Sequence, residues 1–389
     1  MASSSEVFDV VIVGAGFAGS ALAAVLAARG FGVAICDPHD AHPHDFRAEK
    51  LSVDQIEALE RLGLAAPALR VATPISWLRI ARRGRVVDAR PSGEFGFDYS
   101  ALVEALRAEV PSRCWIRRRV EAVEAEGGLR IVAVDGAPPL RARLVVLATG
   151  LGLSLRKSLG LQRVSVRENH SLAIGFDLEL DAAAADCALT YFGERIADRI
   201  GYLTLFPIGE RLRANLFVYR LPGEDWSRRF RADPAGALKD QLPGLRSMLP
   251  PFAVADAPSL RPIHLYAPPE RIGDAVALIG DAYSTTCPAG GGGLTKALND
   301  IERLLAFLPR WLAPPRGIGA AEIASLYSDP GKRASEANAS RTAELSRAMA
   351  IDPGLCWEAR RQRNYYGQRV QSWLRRRPGA RRAAGSGTM

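Results

Sequence analysis

Phe8-Asp9-Val10-Val11-Ile12-Val13-Gly14-Ala15-Gly16-Phe17-Ala18-Gly19 is the stretch on which the fold turns. Residues 8–13 are apolar and rich in β-branched side chains, as a parallel strand buried on both faces must be. Gly14, Gly16 and Gly19 then stand in G-x-G-x-x-G spacing, and Leu22, Val25 and Leu26 follow on one helical face. Arg29 falls in the last turn of that helix, and Gly30 falls where a helix end takes a left-handed residue. A second strand over 32–36 leads to Asp37, 18 residues after Gly19. Each part has a physical task. The first glycine permits the tight turn, the second lets the backbone approach a pyrophosphate, and the third lets helix and strand pack closely. The helix start, with Phe17 and Ala18 in its first turn, offers N–H groups and a positive dipole end to phosphates. Asp37 can accept hydrogen bonds from ribose hydroxyls, and an acid there suits a free 2′-hydroxyl. Together these parts predict a dinucleotide site. A glycine turn that merely packs two elements has no need of Asp37.

The rest of the chain is compatible with such a domain. Its 389 residues suggest two or three domains at roughly 100–200 residues each. A hydrophobic share of 48% and a charged share of 24% are ordinary for a globular protein and argue against disordered, collagen-like or disulfide-framework classes. Five cysteines (Cys36, Cys114, Cys187, Cys287 and Cys356) are widely spaced, which fits a reducing compartment and shows no zinc spacing. The formal charge of +9 is localised, because residues 359–389 hold nine arginines and no acid, lysine or histidine. The chain is therefore a neutral body with a basic end. That end can meet an anionic lipid surface, a nucleic acid or an acidic partner, or simply be solvated; the body gives no reason to expect nucleic acid. Residues 10–28 are uncharged and long enough to cross a bilayer, but Gly14, Gly16, Gly19 and Ser20 interrupt them. Only Glu6 and Asp9 carry charge before them, so neither a signal peptide nor a span is expected. The expected location is cytoplasmic, with the basic end available for peripheral contact with the inner face of a membrane.

A second strand–loop–helix element lies at residues 274–300, DAVALIGDAYSTTCPAGGGGLTKALND. Residues 275–279 read as a strand ending at Gly280-Asp281. Pro288 and Gly290, Gly291, Gly292 and Gly293 form a loop, and a helix follows with Leu294, Ala297, Leu298, Ile301, Leu305 and Leu308 on one face. Asp281 can bond a ribityl or ribose hydroxyl.

The G-D-A…P…G-x-G…A-x-x-D pattern, together with GAGFAG, resembles the group A flavoprotein monooxygenases of the p-hydroxybenzoate hydroxylase fold. Its form is especially similar to the squalene monooxygenase and polyprenyl-phenol hydroxylase branches. The resemblance runs from the N-terminus to about residue 310 and is specific at both ends. It implies FAD as cofactor, with NADH or NADPH as electron donor. It places Asp281 on the ribityl chain, Pro288 and Gly290–Gly293 beside the isoalloxazine, and the helix beginning near Leu294 with its dipole toward the pyrimidine end. Arg47, in DFRAEKLSVDQIEALERLGL, matches a family arginine near the flavin; an ordinary loop arginine is the alternative. Arg47, Pro288 and Gly291 are the residues expected around the reacting ring. The following helix has its own local logic, with Ser52 and Gln55 as a capping box and Gly63 as the stop. One element departs from the pattern. Where the family carries Asp-Gly after a mid-chain strand, residues 143–160 have Thr149-Gly150, with Arg156 at the expected offset. Ser284 stands in place of the usual histidine.

The expected fold is α/β, a Rossmann-like FAD-binding domain with an inserted antiparallel-sheet substrate domain and a helical C-terminal region. FAD-binding parts are expected at 1–75, 100–160 and 271–315. Substrate-sheet parts are expected at 76–99 and 161–270, and the helical region with its basic tail at 316–389. Turns are read at Arg83-Gly84 and Ile208-Gly209-Glu210, with Ser100 as a helix cap. Tyr191, Tyr202 and Phe206 are candidate pocket residues, with Phe192 and Phe217 beside them, although aromatics in strands are more often core. His39, His42 and His44 lie in a proline-containing loop without a fourth ligand nearby, so no metal site is expected.

The function expected from the resemblance is insertion of one oxygen atom from O₂ into a lipophilic aromatic or isoprenoid substrate, by hydroxylation or epoxidation through a flavin C4a-hydroperoxide. The cofactor then carries the difficult chemistry, and no catalytic triad is needed. Two alternatives remain: an FAD-dependent reductase of prenyl double bonds, and a flavoprotein with a binding or assembly role. A halogenase is disfavoured, because Trp77 is followed by Leu78-Arg79-Ile80 rather than the W-x-W-x-I-P motif.

Overall fold

The computed structural model describes residues 6–47, 49–180, 187–313 and 316–375. They fall into two units. The first draws on the described residues of 1–72, 97–168 and 264–343, and the second on those of 73–96, 169–263 and 344–389. The region expected as one helical piece, 316–389, is thus divided. Helix Ala320–Ser328 goes with the first unit, and helix Leu355–Arg375, which packs on strand Arg85–Pro91, goes with the second.

The first unit is built on a seven-stranded sheet. Strands Trp115–Ile116, Val33–Cys36, Val7–Val13 and Ala137–Leu147 run parallel in that spatial order. Strand Val276–Leu278 joins the far half of Ala137–Leu147, also in parallel. Leu129–Val134 and Val120–Glu126 extend the near half as antiparallel strands. Val10, Val11, Ile12 and residues 144–147 have no exposed surface, the reason these segments read as unbroken apolar runs. Helix Phe17–Ala28 contacts the sheet as well as helices Tyr99–Ala108 and Gly292–Leu312. It is therefore buried nearly all round rather than along the single Leu22–Val25–Leu26 stripe, and its small alanines allow that close approach. Register fixes what meets at one end of the sheet. Val13 pairs with both Cys36 and Leu147, and Leu147 pairs with Leu278. The segments that follow these strands, beginning at Gly14, Asp37, Ala148 and Ile279, consequently emerge side by side. Ligands of open parallel sheets bind at this carboxyl end.

The second unit holds an eight-stranded sheet in the order Ala253–Val254, Val164–Glu179, Arg211–Val218, Ile200–Ile208, Cys187–Phe192, Trp77–Arg82, Arg85–Pro91, with Ser259–Ala267 also paired to Val164–Glu179. From Ala253–Val254 to Cys187–Phe192 neighbouring strands are antiparallel, Cys187–Phe192 runs parallel to Trp77–Arg82, and Trp77–Arg82 is antiparallel to Arg85–Pro91. One face alternates Leu172, Ile174, Phe176 and Leu178 with Leu212, Ala214, Leu216 and Val218, forming a core closed by Phe230, Leu238, Leu242 and Leu245. Helices Asp225–Ala232 and Pro234–Gln241 supply two of these lids.

Local signals explain the turns and caps. Arg83 and Gly84 both take positive φ (49° and 70°), the two-residue turn that suits the twist of a hairpin. Gly209 (φ 59°) makes the next one. Helix Tyr99–Ala108 is capped by Asp98, whose carboxylate accepts from the N–H groups of Ser100 (3.0 Å) and Ala101 (3.3 Å). Ser100 is not the cap; it already lies inside the first turn, where its hydroxyl cannot reach those donors.

Candidate cofactor-binding site

Gly14 ends the first strand at φ +102°, and a Cβ there would lie 2.7 Å from the Ala148 carbonyl oxygen. A Cβ on Gly19 would lie 1.9 Å from the Gly14 oxygen. Both positions therefore exclude a side chain on steric grounds. Gly16 differs: nothing lies within 4 Å of its Cβ position. That open space sits at the N-terminus of helix Phe17–Ala28, whose first turn holds no acid. Such a space has room for a phosphate group.

Asp37 closes this loop. Its Oδ2 accepts from the Ala15 N–H at 2.8 Å, and its Oδ1 accepts from the His39 N–H at 2.9 Å with His39 Nδ1 also at 2.9 Å. A carboxylate has about four acceptor positions, so Asp37 can still receive a ribose hydroxyl. Arg107 braces the same region, donating to the carbonyls of His39 (2.7 Å) and Asp40 (2.9 Å) and stacking over Trp115 at 4.9 Å. Sequence reading missed Arg107. The available signal was its position on the buried stripe of helix Tyr99–Ala108, beside Val103 and Leu106.

Arg47 and Asp281 come together. Arg47 Nη1 donates to Asp281 Oδ2 at 2.9 Å and Nε donates to Asp45 Oδ2 at 2.5 Å. Burial disfavours the Arg47 charge, but Tyr99, Asp281 and Asp45 outweigh it and raise its pKa. Arg163 donates to the carbonyls of Gly150 (2.7 Å) and Asp281 (3.0 Å) and lies over Tyr266. Arg156 is fully buried, and its Nη1 donates to the Ala282 carbonyl. Burial, with Arg163 nearby, pushes its pKa down to about 10. The Thr149 hydroxyl oxygen is buried without a hydrogen-bond partner. A polar atom orphaned at this strand end fits a crevice shaped for a bound group.

The second glycine loop is a short 3₁₀ turn, Pro288–Gly290, followed by Gly291 at φ +66° and helix Gly292–Leu312. A Cβ on Gly290 would lie 2.6 Å from Thr342 Cγ2, whereas Gly291 and Gly293 face open space. Gln55 ties this loop to the helix after Arg47. Its Oε1 accepts from the Ser52 N–H in the expected capping box (3.0 Å), and its Nε2 donates to the Gly291 carbonyl (3.1 Å) and Thr295 Oγ1 (3.0 Å). Leu294 is buried.

A buried charged network backs the loop. Lys296 donates to the Ser284 carbonyl (3.0 Å) and hydroxyl (2.5 Å) and pairs with Glu336 (3.0 Å). Ser284 in turn donates to Glu336 (2.6 Å). Lys332 bridges Asp300 (2.6 Å) and Glu336 (2.7 Å), and Asp300 accepts from the Gly280 N–H (2.8 Å). Burial raises the Asp300 pKa against the pull of Lys332. For Glu336, burial works in the same upward sense, but Lys296 and Lys332 win and lower it. Ser284, where the family pattern has histidine, is thus part of a lysine–carboxylate cluster.

The candidate pocket residues of the second unit separate. Tyr191 lies in the core on the closed face of the sheet, with no exposed surface. Side chains alternate along a strand, so the neighbouring Phe192 takes the other face. Tyr202 and Phe206 share that other face, but Phe206 is buried in a small cluster with Ile75, Leu78, Ala188 and Ile208. Tyr202 is half-buried and faces Phe192 and Phe217, with ring centroids 5.9 and 4.9 Å away. His39 is held by Asp37, and His42 packs edge-on against Tyr99. Among the described residues no group of three metal-ligating side chains occurs. No helix among them is long and apolar enough to cross a membrane.

Two glycine loops and an acid at the carboxyl end of a parallel sheet define a flavin-dinucleotide fold. The chain belongs to the FAD binding domain family, which it matches over residues 7–342. It is 31% identical over 317 residues to digeranylgeranylglycerophospholipid reductase 2 of Methanopyrus kandleri, covering 75% of this chain and 74% of that protein. It is 25% identical over 340 residues to ubiquinone hydroxylase UbiL of Rhodospirillum rubrum, covering 78% and 74%. Its fold is similar to that of p-nitrophenol 4-monooxygenase PnpA from Pseudomonas putida (TM-score 0.73, 17% identity, 94% of this chain and 93% of that one). HpxO of Klebsiella pneumoniae with FAD gives the same TM-score of 0.73 at 18% identity, over 95% and 96% of the two chains. The fold is that of the group A flavoprotein monooxygenases, and the protein is an FAD-dependent oxidoreductase.

Proposed function

We propose that the protein is a monooxygenase that inserts one oxygen atom from O₂ into a lipophilic aromatic or isoprenoid substrate. The observation that carries this reading is the state of the ionisable groups behind the Pro288–Gly293 loop. Lys296, Lys332, Asp300 and Glu336 are all committed to one another, leaving the loop backed by a closed cluster. With these charges paired to one another, none is left over to draw water to the loop, and keeping water out is a main demand of flavin oxygenation.

Bound FAD supplies the redox and oxygen-activating chemistry. The chain's own residues hold and polarise it. Asp37 takes the ribose hydroxyls, and the open backbone at Gly16 with the helix behind it takes the pyrophosphate. Arg47 and Asp281, fixed to each other, meet the ribityl region. The N-terminus of helix Gly292–Leu312 favours negative charge at the ring. Phe192 and Tyr202, half-buried aromatics on the face of the second sheet opposite Tyr191, suit an apolar substrate. NADH or NADPH is the proposed electron donor, and the basic C-terminal segment is proposed to meet an anionic membrane surface.

Two observations favour a second reading, reduction of prenyl double bonds. The relative at 31% identity is a digeranylgeranylglycerophospholipid reductase, and Thr149 departs from the Asp-Gly pair of hydroxylases. A single experiment separates the two. The holoenzyme is reduced with NADH, NADPH or dithionite and mixed with ¹⁸O₂ and a polyprenyl phenol or alkene. Product carrying one labelled oxygen supports the monooxygenase; saturated, unlabelled product supports the reductase. Stoichiometric FAD with no turnover on either substrate class supports a binding role.

A further inference from the structure

On the face of the second sheet opposite Tyr191, four side chains, the half-buried Arg82, Phe192 and Tyr202 and the buried Phe217, form one row across four adjacent strands. Tyr191 pairs with Ala81, which sets Phe192 beside Arg82. Phe192 pairs with Tyr202, and Tyr202 with Phe217. The Arg82 guanidinium carbon lies 3.6 Å from the Phe192 ring centroid, and the aromatic contacts continue at 5.9 and 4.9 Å. The row is cationic at one end and apolar along the rest.

Arg82 has less protein compensation than its setting requires. Its Nε donates to Gln368 Oε1 at 3.2 Å, but among the described residues no carboxylate lies within ion-pair distance of it. Its nearest charged influence is Arg83, of like sign, and burial with that neighbour pushes its pKa down to about 10. Stacking on a benzene ring offsets only part of what burying a guanidinium costs. The two Nη groups keep their donors in a planar fork, a geometry that matches a carboxylate or phosphate.

The backbone that carries Arg82 is also held in place. Arg82 is the last strand residue before the Arg83-Gly84 turn, where Arg83 adopts a left-handed backbone that non-glycine residues rarely take. Tyr191 pins that turn from the closed face: its hydroxyl accepts from the Gly84 N–H (2.8 Å) and donates to Glu194 (2.6 Å). Ser247 donates to the Gly84 carbonyl at 2.9 Å. An arginine fixed this firmly, and left without an acid, is prepared for a ligand.

We propose that Arg82 and the row Phe192–Tyr202–Phe217 form a subsite for an apolar substrate that ends in an oxyanion, the head on the guanidinium and the apolar body along the rings. The proposal rests on the lipophilic-substrate reading above and narrows it to anionic amphiphiles.

Calorimetric titration of the full-length holoenzyme with geranyl phosphate, geranic acid and geraniol tests this without turnover. The expected result is that at least one anionic ligand binds about ten-fold or more tightly than geraniol. Preference for the phosphate alone identifies a phosphate ester, and preference for the acid alone a carboxylate. Arg82→Gln is expected to abolish the preference while leaving geraniol binding unchanged. Arg82→Lys, which keeps the charge without the fork or the stack, is expected to lose most of it and serves if Arg82→Gln does not fold. Equal binding of all three ligands to the unaltered protein overturns the proposal, as does a preference that survives whichever variant folds. Labelled-oxygen transfer is measured separately on the same preparations. Transfer without an Arg82-dependent preference rejects the subsite and keeps the monooxygenase; a preference without transfer does the reverse.

Discussion

Arg47 and Asp281 are 234 residues apart in sequence, yet their side chains meet at 2.9 Å. The first follows the second strand of the dinucleotide unit, and the second ends the strand of the other glycine-loop element. Their hydrogen bond joins the two glycine-loop elements. Both side chains keep some exposure, 26% and 34%, so the pair adds little to folding, within about 1 kcal/mol. Its proposed role is to orient the cofactor. Asp281→Ala is expected to weaken FAD binding at least about ten-fold while moving the melting temperature of the apoprotein by little. Flavin titration of apoprotein, with a parallel thermal melt, measures both. A large loss of stability with unchanged affinity would reverse the assignment.

The three glycines of the first loop make a sharper contrast. Gly19 has no room for a methyl group, since its Cβ would lie 1.9 Å from the Gly14 oxygen. Gly16 has ample room and an ordinary φ of −75°. Gly19→Ala is therefore expected to cost about 3 kcal/mol or more, or to prevent folding. Gly16→Ala should leave apoprotein stability within about 0.5 kcal/mol and still impair FAD binding, because the added methyl enters the space kept for the pyrophosphate. Denaturant melts and flavin titration on the pair distinguish packing from binding. Equal behaviour of the two variants would mean that the open space at Gly16 has no ligand to serve.

The cluster behind the second loop sets a stability prediction. Lys332 and Asp300 are each 2% exposed, so removing one leaves the other buried and uncompensated. Lys332→Met is expected to destabilise the protein by about 3–5 kcal/mol, and adding Asp300→Asn should recover part of that loss. Glu336 adds a pH dependence. Burial pushes its pKa up, but Lys296 and Lys332 prevail and hold it below the ordinary 4.5. Its stabilising contribution is therefore complete above pH 4.5 and falls away as pH drops through the lower folded-state value. Asp300, raised by burial, acts in the opposite sense. Melting curves of Glu336→Gln should accordingly fall less steeply in acid than those of the unaltered chain; parallel curves would remove Glu336 from the account.

Much of this site could be read from the chain because its logic is local. A strand, a glycine turn, a helix and an acid declare themselves within 37 residues, and so does the element ending at Asp300. What could not be read depends on long-range register or burial. Tyr191 and Phe192 are adjacent aromatics of equal promise, and only strand pairing decides that the first enters the core and the second the opposite face. Asp98 and Ser100 are both good caps, and the difference is two residues of helix phase. Lys332 and Glu336 sit in a helix of which half the residues are polar and show nothing of their burial until Asp300 and Ser284 are brought against them. Arg107 signalled itself weakly, as a charge on an apolar stripe.

The C-terminal helix supplies the last prediction. Along Leu355–Arg375, Arg360, Arg363, Tyr366, Arg369 and Val370 are exposed, while Glu358 is engaged by Arg361 and Gln362. Four more arginines follow at 376, 377, 381 and 382. A second copy of this helix would bring arginine against arginine, whereas an anionic lipid surface offers the missing charge together with an apolar layer for Tyr366 and Val370. Each arginine near such a surface contributes about 1 kcal/mol, screened within a Debye length of about 8 Å at physiological salt. The full chain is therefore expected to sediment with vesicles rich in phosphatidylglycerol and not with phosphatidylcholine vesicles, and to be released by 1 M salt, where the Debye length falls to about 3 Å. Arg360→Glu with Arg363→Glu should weaken the association at least about ten-fold without altering FAD content. A chain cut after residue 358 that still partitions onto anionic vesicles would show that the contact lies elsewhere on the protein.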